Sequence, residues 1–68
     1  LLSHREHQVY LLLTQGHTVT EIGAQLSLAP NTVSTYRARI LEKTGTKNDV
    51  ELALYAQSIS GGQSSTFG

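Results

Sequence analysis

The stretch that most constrains this chain is Val19–Lys43, VTEIGAQLSLAPNTVSTYRARILEK. Ile22 and Leu26 stand one turn apart on a single helical face, and Val33, Tyr36 and Ile40 repeat that spacing farther along. Between the two runs only a tight turn fits. Gly23 puts a small residue where two steeply crossing helices must approach closely. The stretch therefore predicts two short helices set at a large angle.

That is the pattern of a helix-turn-helix, whose second helix enters a DNA major groove. The plainer alternative is a helical hairpin inside a small bundle. Sixty-eight residues allow one small domain, which must be economical and helical or lean on a partner. The chain has no cysteine, which excludes disulfides and thiolate metal sites and suits a reducing compartment. No apolar run approaches the roughly 18–20 residues that span a bilayer. No signal-peptide pattern opens the chain, and its first residue is Leu rather than Met, as expected of a C-terminal piece of a longer protein.

Net charge is zero, which at first argues against a nucleic-acid partner, but its distribution argues the other way. Arg37, Arg39, Lys43 and Lys47 face only Glu42 within one segment, which carries +3. The remainder, with Arg5 against Glu6, Glu21, Asp49 and Glu51, carries −3. A basic stripe on one helix is the footprint that phosphate binding needs. The stripe is modest, so a single copy is expected to bind weakly.

Helix starts are marked by three capping boxes: Ser3-His-Arg-Glu6, Thr18-Val-Thr-Glu21 and Asn48-Asp-Val-Glu51. Gly16 and Gly45 supply helix stops. These signals predict helices over 4–15, 19–26, 30–43 and 48–58. Val9, Leu13, Ile22, Leu26, Leu28, Val33, Ile40 and Ala53 form the expected core, with Leu12 beside them and Tyr10 at the margin. Residues 1–58 make the domain, and 59–68, small and polar, read as a flexible tail. The second helix of the motif lacks a box. Ala29 offers no side-chain acceptor, and Pro30 suits the first helical position. Its remaining first-turn amides are open either to water or to a DNA phosphate.

With Val33 inward, 100° per residue puts Asn31, Thr35, Ala38 and Glu42 on the opposite face, bordered by Ser34 and Arg39. Asn31, Ser34, Thr35, Ala38 and Arg39 are the candidate base readers, the short ones letting the backbone approach and offering methyls to thymine. Thr20, Thr32, Tyr36, Arg37, Lys43 and Lys47 are the candidate phosphate contacts. For Arg37 an ion pair with Glu21 is an equal alternative. The fourth helix carries Val50, Leu52, Ala53, Leu54, Tyr55, Ala56 and Ile59 around most of its circumference. Ala53 and Ala56, with Val50 or Leu52, must close the core. That directs Leu54, Tyr55 and part of Leu52 either toward a second copy or under the first helix.

The chain resembles the LuxR/GerE-type helix-turn-helix domain at the C-terminus of NarL/FixJ response regulators. The resemblance rests on Leu2-Ser-x-Arg-Glu6, Val9, Leu13, Gly16, Glu21-Ile22, Leu26, Leu28, Thr32-Val33, Ile40, Lys43, Gly45 and Glu51, spread over residues 2–57. Thr32-Val-Ser-Thr-Tyr-Arg-Ala-Arg-Ile40 and Asp49-Val-Glu-Leu52 are most like the GacA- and BvgA-like branch. Gly23 stands where the family usually has alanine, Ala29 replaces a polar cap, and Thr44-Gly-Thr46 replaces Leu-Gly-Val. The last change is expected to loosen packing after the recognition helix.

The resemblance implies an all-α, four-helix domain that binds double-stranded promoter DNA as a homodimer. It also implies an N-terminal receiver domain in the full-length protein, contact with RNA polymerase, and a cytoplasmic, nucleoid-associated location. A regulator with a different sensory domain, or a protein-interaction module docking through the fourth helix, are the competing readings. An enzyme is not expected. His4 and His7, three apart, could share a metal with Glu6 or His17, but no motif completes such a site. Neither a metal nor a cofactor is expected.

Overall fold

The computed structural model describes residues 2–64, and side chains through residue 59. Four helices follow one another: α1 (His4–Thr14), α2 (Val19–Leu26), α3 (Pro30–Thr44) and α4 (Asp49–Ser64). Among the described residues there is no strand. None of the described helices is long and apolar enough to cross a membrane. The all-α, four-helix expectation holds, and α1–α3 end within a residue of their expected limits.

The first two capping boxes close reciprocally. Glu6 N–H donates to Ser3 Oγ at 3.2 Å while Ser3 N–H donates to the Glu6 carboxylate at 2.8 Å. Glu21 and Thr18 repeat the exchange at 3.1 and 2.9 Å. Each box satisfies two amides that a helix start otherwise leaves open. The third box is different. Glu51 N–H donates to Asn48 Oδ1 at 2.9 Å, but the Glu51 carboxylate accepts from Lys47 N–H at 2.8 Å, one residue earlier than expected. Gly16 (φ +95°) and Gly45 (φ +73°) end α1 and α3 in the left-handed region, where a Cβ is strained.

One expectation about length is corrected. Helix α4 continues to Ser64, past the end near Ser58 that the small, polar sequence suggested. The final residues of the expected tail, 65–68, lie outside the described residues.

Val9, Ile22, Val33, Ile40 and Leu52 are wholly buried, and Tyr10 and Leu13 nearly so. Burying each such side chain stabilises the fold by about 1.5–3 kcal/mol. Helix α3 packs against both α2 and α1, whereas α4 lies mainly along α1. Leu26, Leu28 and Ala53, expected in the core, are only half-buried. Tyr10, expected at the margin, is inside. On α4 the core position belongs to Leu52, with Tyr55 and Ala56 packed beside it one turn later. This corrects the placement of Leu52 at a dimer contact: with no exposed surface, it has nothing to offer a partner.

Gly23 is buried, but the close approach it allows is not to a neighbouring helix. A Cβ there would strike the Leu28 carbonyl, because the α2–α3 turn folds back beneath α2. Leu28 N–H donates to the Gly23 carbonyl at 2.8 Å, and Ser27 holds a left-handed conformation (φ 59°). This compact turn fixes where α3 begins. After α3, Thr44 and Thr46 meet through their hydroxyls at 2.9 Å, and Thr44 Oγ1 also donates to the Ile40 carbonyl at 2.8 Å. A polar contact therefore occupies the place that Leu-Gly-Val would fill with apolar packing.

Candidate nucleic-acid interface

Helix α3 turns Val33 and Ile40 into the core, and that fixes its other face outward. Asn31, Thr32, Ser34, Thr35, Ala38 and Arg39 are all exposed. Asn31, Thr32, Thr35, Tyr36 and Arg39 line one open concavity, which brings expected base readers and expected phosphate contacts together. Ser34 and Ala38 stand outside that lining. Thr35 Oγ1 donates to the Asn31 carbonyl at 3.1 Å. With its proton directed back along the helix, Thr35 offers its methyl and an acceptor oxygen outward. Thr20 is exposed in the first turn of α2.

At the start of α3 no described side chain caps the turn. The Thr32 and Val33 amides return to the Ala29 carbonyl at 3.0 and 3.1 Å, and Pro30 has no amide to satisfy. The expected cluster of open amides thus reduces essentially to that of Asn31. Such a helix start, carrying the positive end of the macrodipole, is compatible with a nearby anion.

The basic stripe divides into two kinds of residue. Lys43 Nζ donates to Glu6 Oε1 at 2.7 Å, and Glu6 is buried with 2% of its surface exposed. The carboxyl of Glu6 is lowered from 4.5 to about 2, first by the Lys43 hydrogen bond and then by the Ser3 amide; burial opposes the shift. Arg37 Nε donates to Asp49 Oδ1 at 2.7 Å, with both side chains partly exposed. The alternative pairing of Arg37 with Glu21 is not what forms. Glu21 caps Thr18 and meets His17 at 3.5 Å, and its carboxyl is lowered chiefly by the Thr18 amide. The charged ends of Arg39 and Lys47, both exposed residues, make no ion pair among the described residues.

Two of the four stripe residues are therefore engaged inside the domain, a division the linear sequence does not announce. Glu6 and Asp49 are the residues that sequence reasoning missed. In the sequence Glu6 reads as half of a capping box and as a conceivable metal partner of His4 and His7, and Asp49 as part of the Asn48–Glu51 box; neither reading pairs it with a cation of the stripe. Glu6 turns toward Lys43 rather than toward His4 or His7, and the His7 ring lies against Tyr10 with centroids 5.9 Å apart. Among the described residues no three His, Asp or Glu gather as metal ligands.

On α4, Val50, Leu54 and Ile59 are exposed by 70%, 59% and 63%, while Tyr55 is half-buried against the core. Of the three residues expected at a dimer contact, Leu54 alone is mostly exposed. Val50 joins it one turn earlier.

Residues 1–56 match the family described as bacterial regulatory proteins, luxR family. Transcriptional regulatory protein UhpA of Salmonella typhimurium is 56% identical over 52 residues, which are 76% of this chain and 26% of that protein. UhpA of Escherichia coli is 54% identical over 52 residues, with the same coverage. Response regulator GacA of Pseudomonas aeruginosa is 51% identical over 55 residues, 81% of this chain and 26% of that protein. The chain spans about a quarter of the length of these curated relatives. No solved structure matches it. The family match covers most of the four-helix fold, so the chain belongs to the luxR family of bacterial regulatory proteins, as a LuxR-type helix-turn-helix domain of the kind found in NarL/FixJ response regulators.

Proposed function

We propose that this domain binds double-stranded promoter DNA by laying the exposed face of α3 in the major groove, as the output domain of a two-component response regulator. One observation carries the reading: a helix anchored by Val33 and Ile40 presents short polar side chains and Arg39 on its opposite face. That is the shape and chemistry of major-groove readout. Asn31, Ser34, Thr35, Ala38 and Arg39 read bases. Thr20, Thr32 and Tyr36 contact the backbone along with Lys47, and the α3 start supports a phosphate near Asn31. The names of the relatives, transcriptional regulatory protein and response regulator, support the regulatory role.

The domain acts as a pair. The exposed stripe of Val50 and Leu54 on α4 supports contact with a second copy, which sets two recognition helices roughly 34 Å apart on successive major grooves. In the full-length protein an N-terminal receiver controls this pairing, and DNA-bound dimers engage RNA polymerase in the cytoplasm. Fluorescence anisotropy with labelled duplexes across a salt series tests the reading. Binding that weakens linearly in log salt is expected. Absence of salt-dependent binding to any duplex would overturn it.

A further inference from the structure

The loop between α3 and α4 carries Lys47, one of the two stripe cations whose charged groups make no ion pair among the described residues. Two hydrogen bonds determine where Lys47 stands. Its backbone N–H donates to the Glu51 carboxylate at 2.8 Å, which ties it to the first turn of α4. That turn is in turn held to the recognition helix by Arg37 Nε on Asp49 Oδ1 at 2.7 Å. The packing between α3 and α4 is thin beside that between α4 and α1, so a polar tie has leverage over their relative position. Gly45, in the left-handed conformation that ends α3, stands just before this loop.

We propose that Asp49 is a positioning residue of the DNA site: by holding Arg37 it fixes the first turn of α4, and with it Lys47, at the height where Lys47 meets a phosphate beside the groove entered by α3. This rests on the DNA-binding reading above. In this arrangement Arg37 acts as framework, and its positive charge is already matched. The inference opposes simple electrostatics. Removing the Asp49 carboxylate raises the net charge by one, so an undirected charge effect makes Asp49→Asn bind DNA more tightly. A positioning role makes it bind more weakly.

The test compares the parent chain with Asp49→Asn, Asp49→Glu, Lys47→Met and the Asp49→Asn/Lys47→Met pair, on one mixed-sequence duplex across a salt series. Melting curves establish that each variant is folded at the assay temperature. Lys47→Met is expected to lower the slope of log affinity against log salt by about one unit. Asp49→Asn is expected to lower it by a similar amount and to weaken binding, the pair to lower it no further, and Asp49→Glu to retain most of the parent slope. Tighter binding by Asp49→Asn with a steeper slope would overturn the proposal, making Asp49 a competitor of phosphate for Arg37. An unchanged slope in Asp49→Asn, or a doubled loss in the pair, would overturn it as well. If the parent itself shows no salt-dependent binding, the DNA reading fails and this inference fails with it; a normal parent beside an unresponsive Asp49→Asn variant removes this inference alone.

Discussion

The two faces of α3 differ in what holds their side chains. The inner face, Val33 and Ile40, has no exposed surface and is gripped by α1, α2 and Leu52. Among the described residues, the outer-face side chains of Asn31, Ser34, Thr35, Ala38 and Arg39 make no hydrogen bond or ion pair beyond their own helix, as the Thr35 hydroxyl on the Asn31 carbonyl illustrates. Between the faces lie flanks where charge is used for construction: Lys43 reaches Glu6 of α1, and Arg37 reaches Asp49 of α4. Position on the helix, rather than residue type, decides whether a cation is tied into the fold, as Arg37 and Lys43 are, or left on the surface, as Arg39 is. Substitutions should therefore lose stability in the order inner face, flank, outer face, and gain influence on DNA in the reverse order.

The inner face should show the largest effect. Ile40→Ala or Ile22→Ala removes a wholly buried side chain from a close-packed site and should cost roughly 2–5 kcal/mol. For a domain this small that is a large share of total stability. Urea unfolding followed by circular dichroism measures it. An unchanged midpoint for either variant would contradict the placement of these residues. Gly23→Ala belongs with this group, because the added Cβ meets backbone rather than a side chain that can move. Forcing the turn away from α2 should cost about 1–3 kcal/mol.

The α1 flank comes next and has a pH signature. The Glu6 carboxyl is held at about 2 in the fold against an ordinary 4.5. Because the folded value is the lower one, the stability it contributes is complete above about pH 4.5 and is lost as pH falls toward about 2. Thermal melts of the parent should therefore drop steeply across that window. Glu6→Gln should melt lower at neutral pH and show a shallower acid limb. Equal acid limbs in the two proteins would mean that Glu6 is not the group being titrated. Lys43→Met should also melt lower, because it strands a buried carboxylate. Its salt slope for DNA should match the parent's. A slope reduced by about one unit would return Lys43 to the phosphate contacts.

The α4 flank should be weaker in stability, since Arg37 and Asp49 are both partly exposed. Breaking such a pair costs at most about 1 kcal/mol. The contrast with Glu6 sharpens the comparison. A buried carboxylate makes its cation part of the framework, whereas an exposed one leaves the fold nearly indifferent and any consequence visible chiefly in DNA binding.

Much of this was legible in the sequence because the signals were local. Ser3 with Glu6, Thr18 with Glu21, and glycines 16 and 45 mark helix ends within a few residues of themselves. The inward set of α3 follows from one periodic run. What could not be read is non-local or lacks a period. Lys43 and Glu6 are 37 positions apart, and Arg37 and Asp49 are 12 apart, so neither pairing leaves a trace in spacing. Helix α4 is apolar around most of its circumference, which gives periodicity no phase to report. That is why Leu52 was turned partly outward when packing against α1 turns it wholly in. Its C-terminal extension was missed for a related reason, since Ser58-Ile-Ser-Gly-Gly-Gln carries stop-like composition while the helix runs through it.

The outer face should show the smallest effect on stability and the most specific effect on binding. Thr35→Ala removes a hydroxyl whose only hydrogen bond among the described residues returns to its own helix, along with an exposed methyl. Nothing is left unsatisfied inside the domain, and alanine favours the helix slightly over threonine, so stability should stay within about 0.5 kcal/mol of the parent. The charge is unchanged, so the salt slope should be that of the parent. What changes is the surface offered to base edges: a methyl able to touch a thymine methyl is lost, while the neighbouring Ala38 methyl remains. Selection from a random-sequence duplex library should therefore recover, for Thr35→Ala, a site that differs from the parent's at one or two adjacent base pairs and agrees elsewhere. An identical recovered site would exclude direct readout at Thr35. A site altered throughout would point instead to a shift of the whole helix, and so to the flanks that hold it.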